Sequence, residues 1–252
     1  TPSCNAASRT VRKGVSATDA GRGAAILISA VTAAQTENAA ADAAPNIENG
    51  ALFIDLNSAS PGAKRPAAEL INAAGGRYVE AAVMGPIAPK RISTSMLLGG
   101  PHADAALSLL RDMGFAGATV FSQEYGQAAA AKLCRSVVAK GIEALLTESL
   151  LAARHYGVED TVLTSLSNLL PARNWPALSR YMIARALEHG ERRAEEMREA
   201  AKTVGAAGLT PWLSDAIAKR QAWAADYASA LDNDDLKVML DAIRAAACEA
   251  QP

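Results

Sequence analysis

The chain has 252 residues, a formal net charge of −1 and 50% hydrophobic residues, of which few are aromatic. Balanced charge argues against a nucleic-acid binder, and no apolar run is long enough to predict a membrane span. The three cysteines lie far apart, without metal-ligand spacing, so we expect no metal site. Reduced cysteines are typical of the cytoplasm, where we expect the protein to reside.

The first half alternates between two kinds of segment. Short apolar runs, typical of strands, occupy 24–31, 51–55, 77–84, 95–98 and 118–121, and helical patterns occupy 32–44, 64–74 and 104–113. Strands that alternate with helices predict an α/β layer with a mostly parallel sheet. Runs without strict polar alternation favour strands covered on both faces.

The second half has only helical patterns. From Gly126 to Tyr156 no proline interrupts an apolar period of three to four residues, which predicts one helix of about 45 Å. Further helices are expected at 159–170, from Asn174 towards Val204, and at 211–229 and 233–249. We therefore expect two domains, 1–125 and 126–252, with the helix 126–156 joining them.

Lys132 is the candidate catalytic residue. It follows Gly126 by six positions, among alanines on the long helix. Partial desolvation there would lower the pKa of the ammonium and suit it to proton exchange with a substrate. The alternative is a surface lysine whose stem covers alanine methyl groups. Cys134 should lie on another helix face, in the core.

Four stretches carry a family resemblance. They are Ser-Ala-Val-Thr at 29–32, Asp-Leu-Asn-Ser-Ala-Ser-Pro at 55–61, Glu-Ala-Ala-Val-Met-Gly at 80–85 and the lysine segment 126–136. In this order they resemble the β-hydroxyacid dehydrogenases, the group that contains 3-hydroxyisobutyrate dehydrogenase and 6-phosphogluconate dehydrogenase. The resemblance implies a partial Rossmann-like domain, an all-helical substrate and dimerisation domain, and a homodimer.

The resemblance also implies a reaction and a set of site residues. The reaction is hydride transfer between NAD or NADP and a small hydroxyacid, with Lys132 as general acid and base. The implied substrate-binding residues are Ser58, Met84, Gly85, Ser136, Arg185 and His189. The implied cofactor-binding residues are Ala30, Val31, Thr32 and Asn57.

The chain departs from the family pattern at several of these positions. Met84 replaces a serine that would bind a substrate carboxylate, and Ser136 replaces an asparagine four residues after the lysine. Decarboxylating members carry a glutamate seven residues after the lysine, where this chain has Ala139. Decarboxylation by that route is therefore not expected. Further departures in the substrate loop are Glu80, Ala82 and Pro86.

A glycine-rich turn of the form Gly-x-Gly-x-x-Gly, which would hold the cofactor pyrophosphate at a helix start, does not occur in the sequence. The resemblance leads us to expect that the chain begins after the third strand of the family's domain, so that about 40–50 residues of that domain would be missing from it. The missing turn favours an alternative, a non-catalytic or cofactor-poor helical dimer. An imine reductase-like enzyme shares the architecture, although Lys132 counts against it.

Arg185, His189 and Arg192 are spaced to share one helix face. Such a face suits a carboxylate or a phosphate, and in 6-phosphogluconate dehydrogenase an arginine and a histidine from this region hold substrate. The alternative is a solvated face with ion pairs along the helix. Both interpretations stay open at the level of sequence.

Overall fold

The structure is a computed structural model that describes Ser16, Asp19, residues 21–169 and residues 174–249, without the side chains of residues 168 and 169. The chain forms two compact units, and the division falls between Ala130 and Ala131.

The first unit contains a five-stranded sheet. Its elements are β1 (Ile26–Ser29), α1 (Thr36–Ala43), β2 (Leu52–Asp55), α2 (Pro61–Ala73), β3 (Arg77–Val83), α3 (Ile87–Lys90), β4 (Met96–Gly99), α4 (Ala103–Asp112) and β5 (Ala118–Ser122). The strand order is β1-β2-β3-β4-β5. All neighbours are parallel except β3 and β4, which are antiparallel. The mostly parallel sheet is therefore confirmed.

Both faces of the sheet are covered. Leu52 and Ile54 belong to an apolar cluster with Leu110 of α4. Phe53, the residue between them, packs in a second cluster with Ile71 of α2 and residues of α1. Because successive side chains point to opposite faces, burial on both sides explains why this strand shows no polar alternation.

Glu80 anchors the start of the long helix. Its buried carboxylate accepts hydrogen bonds from the backbone N–H groups of Gly126 (2.9 Å) and Ala128 (2.8 Å). The first N–H groups of a helix have no partner within the helix, and a carboxylate there also meets the favourable end of the helix dipole. A Cβ on Gly99, which pairs with Glu80, would lie 2.3 Å from a carboxylate oxygen. Only glycine therefore leaves room for this contact.

The helix α5 (Gln127–Tyr156) begins in the first unit and continues into the second. The second unit also contains α6 (Glu159–Leu169), α7 (Trp175–Ala206), α8 (Trp212–Ala225) and α9 (Leu236–Glu249), with a 3₁₀ turn at Ala228–Asp232. The predicted all-helical second half is confirmed. The helix expected over 211–229 ends at Ala225, and the last helix starts at Leu236 because Asp235 accepts hydrogen bonds from the N–H groups of Lys237 and Val238.

Helix α7 has a capped start and an internal kink. Asn174 accepts a hydrogen bond from the N–H of Ala177 at 3.0 Å, as its position before Trp-Pro predicts. The helix bends at His189, whose φ of −127° is not helical. A Cβ on the next residue, Gly190, would lie 2.3 Å from the carbonyl oxygen of Gln221. The glycine thus allows α7 and α8 to approach closely.

Within the described part of the chain, none of the helices combines the length and apolar character that crossing a bilayer requires.

The Glu80 anchor predicts a pH-dependent stability. Burial raises the pKa of the Glu80 carboxyl from its ordinary 4.5, and the N–H bonds from Gly126 and Ala128 only partly offset this. A raised folded-state pKa means that the contribution of Glu80 is full below about pH 4.5 and declines as the pH rises through the folded pKa. We expect Glu80→Gln to lower the free energy of unfolding by about 1–3 kcal/mol, because one buried N–H loses its acceptor.

The measurement is urea unfolding of wild type and Glu80→Gln across this pH range, with Glu69→Gln on the exposed face of α2 as the control. The stability gap between wild type and Glu80→Gln should be widest at acidic pH and should narrow as the pH rises. A gap that widens with rising pH would contradict the assigned direction.

Candidate functional site

The carboxyl ends of three neighbouring parallel strands form one edge of the sheet. Residues 30–32 follow β1, residues 57 and 58 follow β2, and residues 84 and 85 follow β3. Ligands of open α/β sheets bind at this edge. The structure thus brings together the predicted cofactor residues and the first-unit substrate residues Ser58, Met84 and Gly85.

Ala30, Val31 and Thr32 are exposed at the end of β1, whereas Asn57 is buried. The Asn57 carboxamide is occupied at both ends. Its oxygen accepts a hydrogen bond from the N–H of Val31 at 2.7 Å, and its nitrogen donates to the hydroxyl of Ser29 at 3.0 Å. Asn57 therefore fixes the backbone of the predicted cofactor residues.

The turn after β2 rests on a buried network of charged and polar groups. Lys64 lies 2.9 Å from the Asp55 carboxylate and donates to the carbonyl oxygen of Asn57 at 2.7 Å. The hydroxyl of Tyr78 donates to Asp55 at 2.5 Å. Burial, and next the Asp55 charge, raise the pKa of Tyr78 well above its ordinary value, so the phenol stays protonated. The sequence prediction missed Lys64 and Tyr78, because no spacing rule connects α2 with β3.

The described residues fit part of a nicotinamide dinucleotide. The exposed backbone at 30–32 follows β1, where the family resemblance places the nicotinamide and its ribose. Gly21 and Gly23 form a turn that leads into β1, in which the carbonyl oxygen of Gly21 accepts from Ala24. They do not open a helix. Gly21 and Gly23 therefore do not form a binding site for the cofactor pyrophosphate.

Lys132 and Ser136 lie one turn apart on α5, and the second unit holds both. Lys132 is half-buried, whereas Ser136 is buried. The ammonium of Lys140 donates to the Ser136 hydroxyl at 3.1 Å and contacts the Glu196 carboxylate of α7 at 2.7 Å. Because Ser136 accepts from Lys140, its own hydroxyl hydrogen can point elsewhere.

Glu196 is the common partner of several cations. It contacts Lys140 and Arg192, and it also interacts electrostatically with Lys132. Burial alone would raise the pKa of Glu196, but these positive charges outweigh it and lower the pKa. The sequence prediction missed Lys140 and Glu196. The spacing of Lys140, four residues after Ser136, could have identified the lysine, whereas nothing local identifies its partner on α7.

Arg185 and His189 contact each other, with 2.7 Å between a guanidinium nitrogen and His189 Nε2. Glu188 lies within 3.8 Å of Arg185 and 3.3 Å of His189. Burial, together with the charge of Arg185, lowers the pKa of His189. The face of α7 that carries Arg185 and His189 is therefore partly paired with Glu188 of the same helix, and it still carries the guanidinium of Arg185.

The expected core position of Cys134 is wrong, because its thiol is exposed. The buried side of this stretch of α5 runs instead through Leu133, Ser136 and Lys140. Among the described residues, no group of three or more histidine, cysteine or acidic side chains has a geometry that could hold a metal ion.

Two protein families match the chain. Residues 4–123 match the NAD binding domain of 6-phosphogluconate dehydrogenase. Residues 153–224 match a domain of unknown function, DUF1932. The first match covers the sheet and the edge that carries residues 30–32, and it makes the first unit similar to a nicotinamide dinucleotide-binding domain.

A curated relative from Methanothermus fervidus, an uncharacterized 28.5 kDa protein in the 7S RNA 5′ region, is 26% identical over 160 residues. The match covers 64% of this chain and 61% of that protein. The chain thus spans less than two thirds of the length of the curated relative that it matches.

Solved structures extend the comparison. A conserved hypothetical protein from Sinorhizobium meliloti 1021 is 34% identical, with a TM-score of 0.71, over 88% of this chain and 75% of that one. The conserved protein MTH1747, described as structurally similar to 3-hydroxyacid dehydrogenases, is 29% identical, with a TM-score of 0.63, over 83% and 79%.

The 3-hydroxyisobutyrate dehydrogenase of Mycobacterium tuberculosis, solved with L-serine, is 19% identical and shares the fold, with a TM-score of 0.64 over 91% of this chain and 83% of that one. The NAD-binding match and the two more similar structures support a resemblance to the β-hydroxyacid dehydrogenase family, and the 3-hydroxyisobutyrate dehydrogenase shares its fold with the chain.

Proposed function

We propose that this protein is a NAD- or NADP-dependent oxidoreductase of small hydroxyacids, with Lys132 as the general acid and base. The observation that carries the proposal is the pairing of a NAD-binding unit with a half-buried lysine one turn from a buried serine. When bound, the nicotinamide supplies the hydride acceptor or donor.

Each residue has a defined part in this proposal. In the oxidative direction the neutral amine of Lys132 takes the proton of the substrate hydroxyl as the carbon–oxygen double bond forms. In reduction the ammonium returns that proton to the oxygen. Ser136 donates a hydrogen bond to the substrate, and Ser58 and the backbone at Met84 and Gly85 orient it.

Two further residues are proposed to bind the substrate anion. Arg185 presents a guanidinium and His189 an imidazole on a half-buried face of α7, where a carboxylate would find a charge-assisted donor in Arg185. The family resemblance supports the proposed substrate class, and L-serine, named with the structure of the related fold, is one member of the panel to be tested.

Homodimerisation through the helical unit and a cytoplasmic location complete the proposal. Support for a dimer comes from large apolar side chains that the helical unit exposes, among them Trp212 at 78%, Leu213 at 73% and Leu145 at 70%. Exposed apolar side chains mark interaction sites when they form a contiguous patch, and Trp212 and Leu213 are adjacent in the sequence.

Replacement of the lysine tests the catalytic assignment. We expect Lys132→Met to lower kcat roughly 10²–10⁴-fold, because a general acid–base group contributes that much, while the affinity for NADH or NADPH stays unchanged. The exposed Lys219 of α8 provides the control variant Lys219→Met, which should retain wild-type turnover. Near-normal turnover of a folded Lys132→Met protein would refute the assignment.

A binding titration separates the enzyme from the non-catalytic alternative, which the absence of a Gly-x-Gly-x-x-Gly sequence favours. We expect the full chain to bind NADH or NADPH in isothermal titration, because its first unit matches a NAD-binding domain. Absence of binding of both cofactors by the complete protein would favour the non-catalytic dimer, whereas absence of binding by residues 1–252 alone would also be expected from a truncated chain.

A panel of hydroxyacids and cyclic imines, assayed with both nicotinamides, separates the dehydrogenase from an imine reductase-like enzyme. Turnover of hydroxyacids that depends on Lys132 is the expected result. Turnover confined to imines would overturn the proposed substrate class.

A further inference from the structure

Lys64 is a buried lysine that the proposed chemistry does not use. Only 2% of its side chain is exposed, although it lies in the first turn of α2. Full burial is rare for lysine and requires a partner. The two contacts of its ammonium are with Asp55 and with the carbonyl oxygen of Asn57.

Both carboxylate oxygens of Asp55 are occupied. One accepts from Lys64 and from Tyr78, and the other accepts from the N–H of Asn57 at 2.8 Å. A buried ion pair gains little stability over apolar side chains of the same volume, because both charges lose their water. What the ion pair does provide is a fixed position for the turn after β2, because Lys64 of α2 and Tyr78 of β3 both contact Asp55.

Asn57 transmits this geometry to the neighbouring strand. Its backbone is fixed by Asp55 and Lys64, and its carboxamide holds the N–H of Val31 and the hydroxyl of Ser29. In the described sheet, β1 has a single neighbour, β2. The backbone at 30–32, where the nicotinamide would lie, therefore takes its position through Asn57.

We propose that Lys64 is a positioning residue for the nicotinamide cofactor, which acts through Asp55 and Asn57 on the backbone of residues 30–32. The proposal rests on the proposed function, because it assumes that this backbone contacts the cofactor. Tyr78 belongs to the same arrangement, since its hydroxyl donates to the Asp55 oxygen that Lys64 also contacts.

The test compares three variants of the full chain with the wild type. Lys64→Met removes the ammonium but keeps an apolar stem of the same length. Because that variant leaves Asp55 buried without a cation, the double variant Lys64→Met/Asp55→Asn removes both charges and protects the fold. The control is Arg65→Met on the exposed neighbouring position of α2.

Two readouts are recorded for each protein. Hydrogen exchange of the Val31 amide, measured without cofactor, reports the position of the loop. We expect both Lys64 variants to exchange roughly tenfold faster or more at this amide, because local opening exposes it. The dissociation constant for NADH or NADPH should rise roughly 10–10²-fold, as expected for a misplaced contact, whereas Arg65→Met should match wild type in both.

The outcomes separate the two proposals. Wild-type exchange and wild-type affinity in the double variant would overturn the role of Lys64 while leaving the proposed function intact. Faster exchange without weaker binding would also overturn it, because the loop would then be fixed for another purpose. Failure of the complete wild-type protein to bind either nicotinamide would overturn the proposed function, and the role of Lys64 with it.

Discussion

A carboxylate without access to water is the constraint on which the sheet edge depends. Asp55 ends β2 at 0% exposure, and an ionised group there is tolerated only when it is paired and hydrogen-bonded. Lys64 comes from α2, Tyr78 from β3 and the third donor from the turn itself. Satisfying one side chain therefore fixes a helix, a strand and a turn together.

The same arrangement recurs at other buried carboxylates. Glu80 accepts from the first N–H groups of α5, Glu196 of α7 contacts Lys140 of α5, and Arg193 of α7 donates to Glu143 of α5. In each case the partner belongs to a different element. The residues around the candidate sites are thus held by directional polar contacts as well as by apolar packing.

The family resemblance concerns the cofactor and the reaction, whereas the residues at which this chain departs from the family pattern concern the substrate. The NAD-binding match and the related structures indicate the cofactor and the reaction class from which the proposal starts. The substrate loop is where this chain differs, since Met84 supplies no hydroxyl and Ala139 supplies no acid. Substrate choice is expected to follow these differences, and the proton transfer is proposed to stay with Lys132, as the family pattern implies.

The sequence alone determined the five strands, the long helices and the placement of Lys132 and Ser136 on one helix, because apolar periodicity and spacing are local properties. It did not reveal the antiparallel β4, the exposure of Cys134, or the contacts of Lys64 with Asp55 and of Lys140 with Glu196. Those pairs join separate elements. Spacing predicts which side chains share a face, but only tertiary packing decides which face of another element they meet.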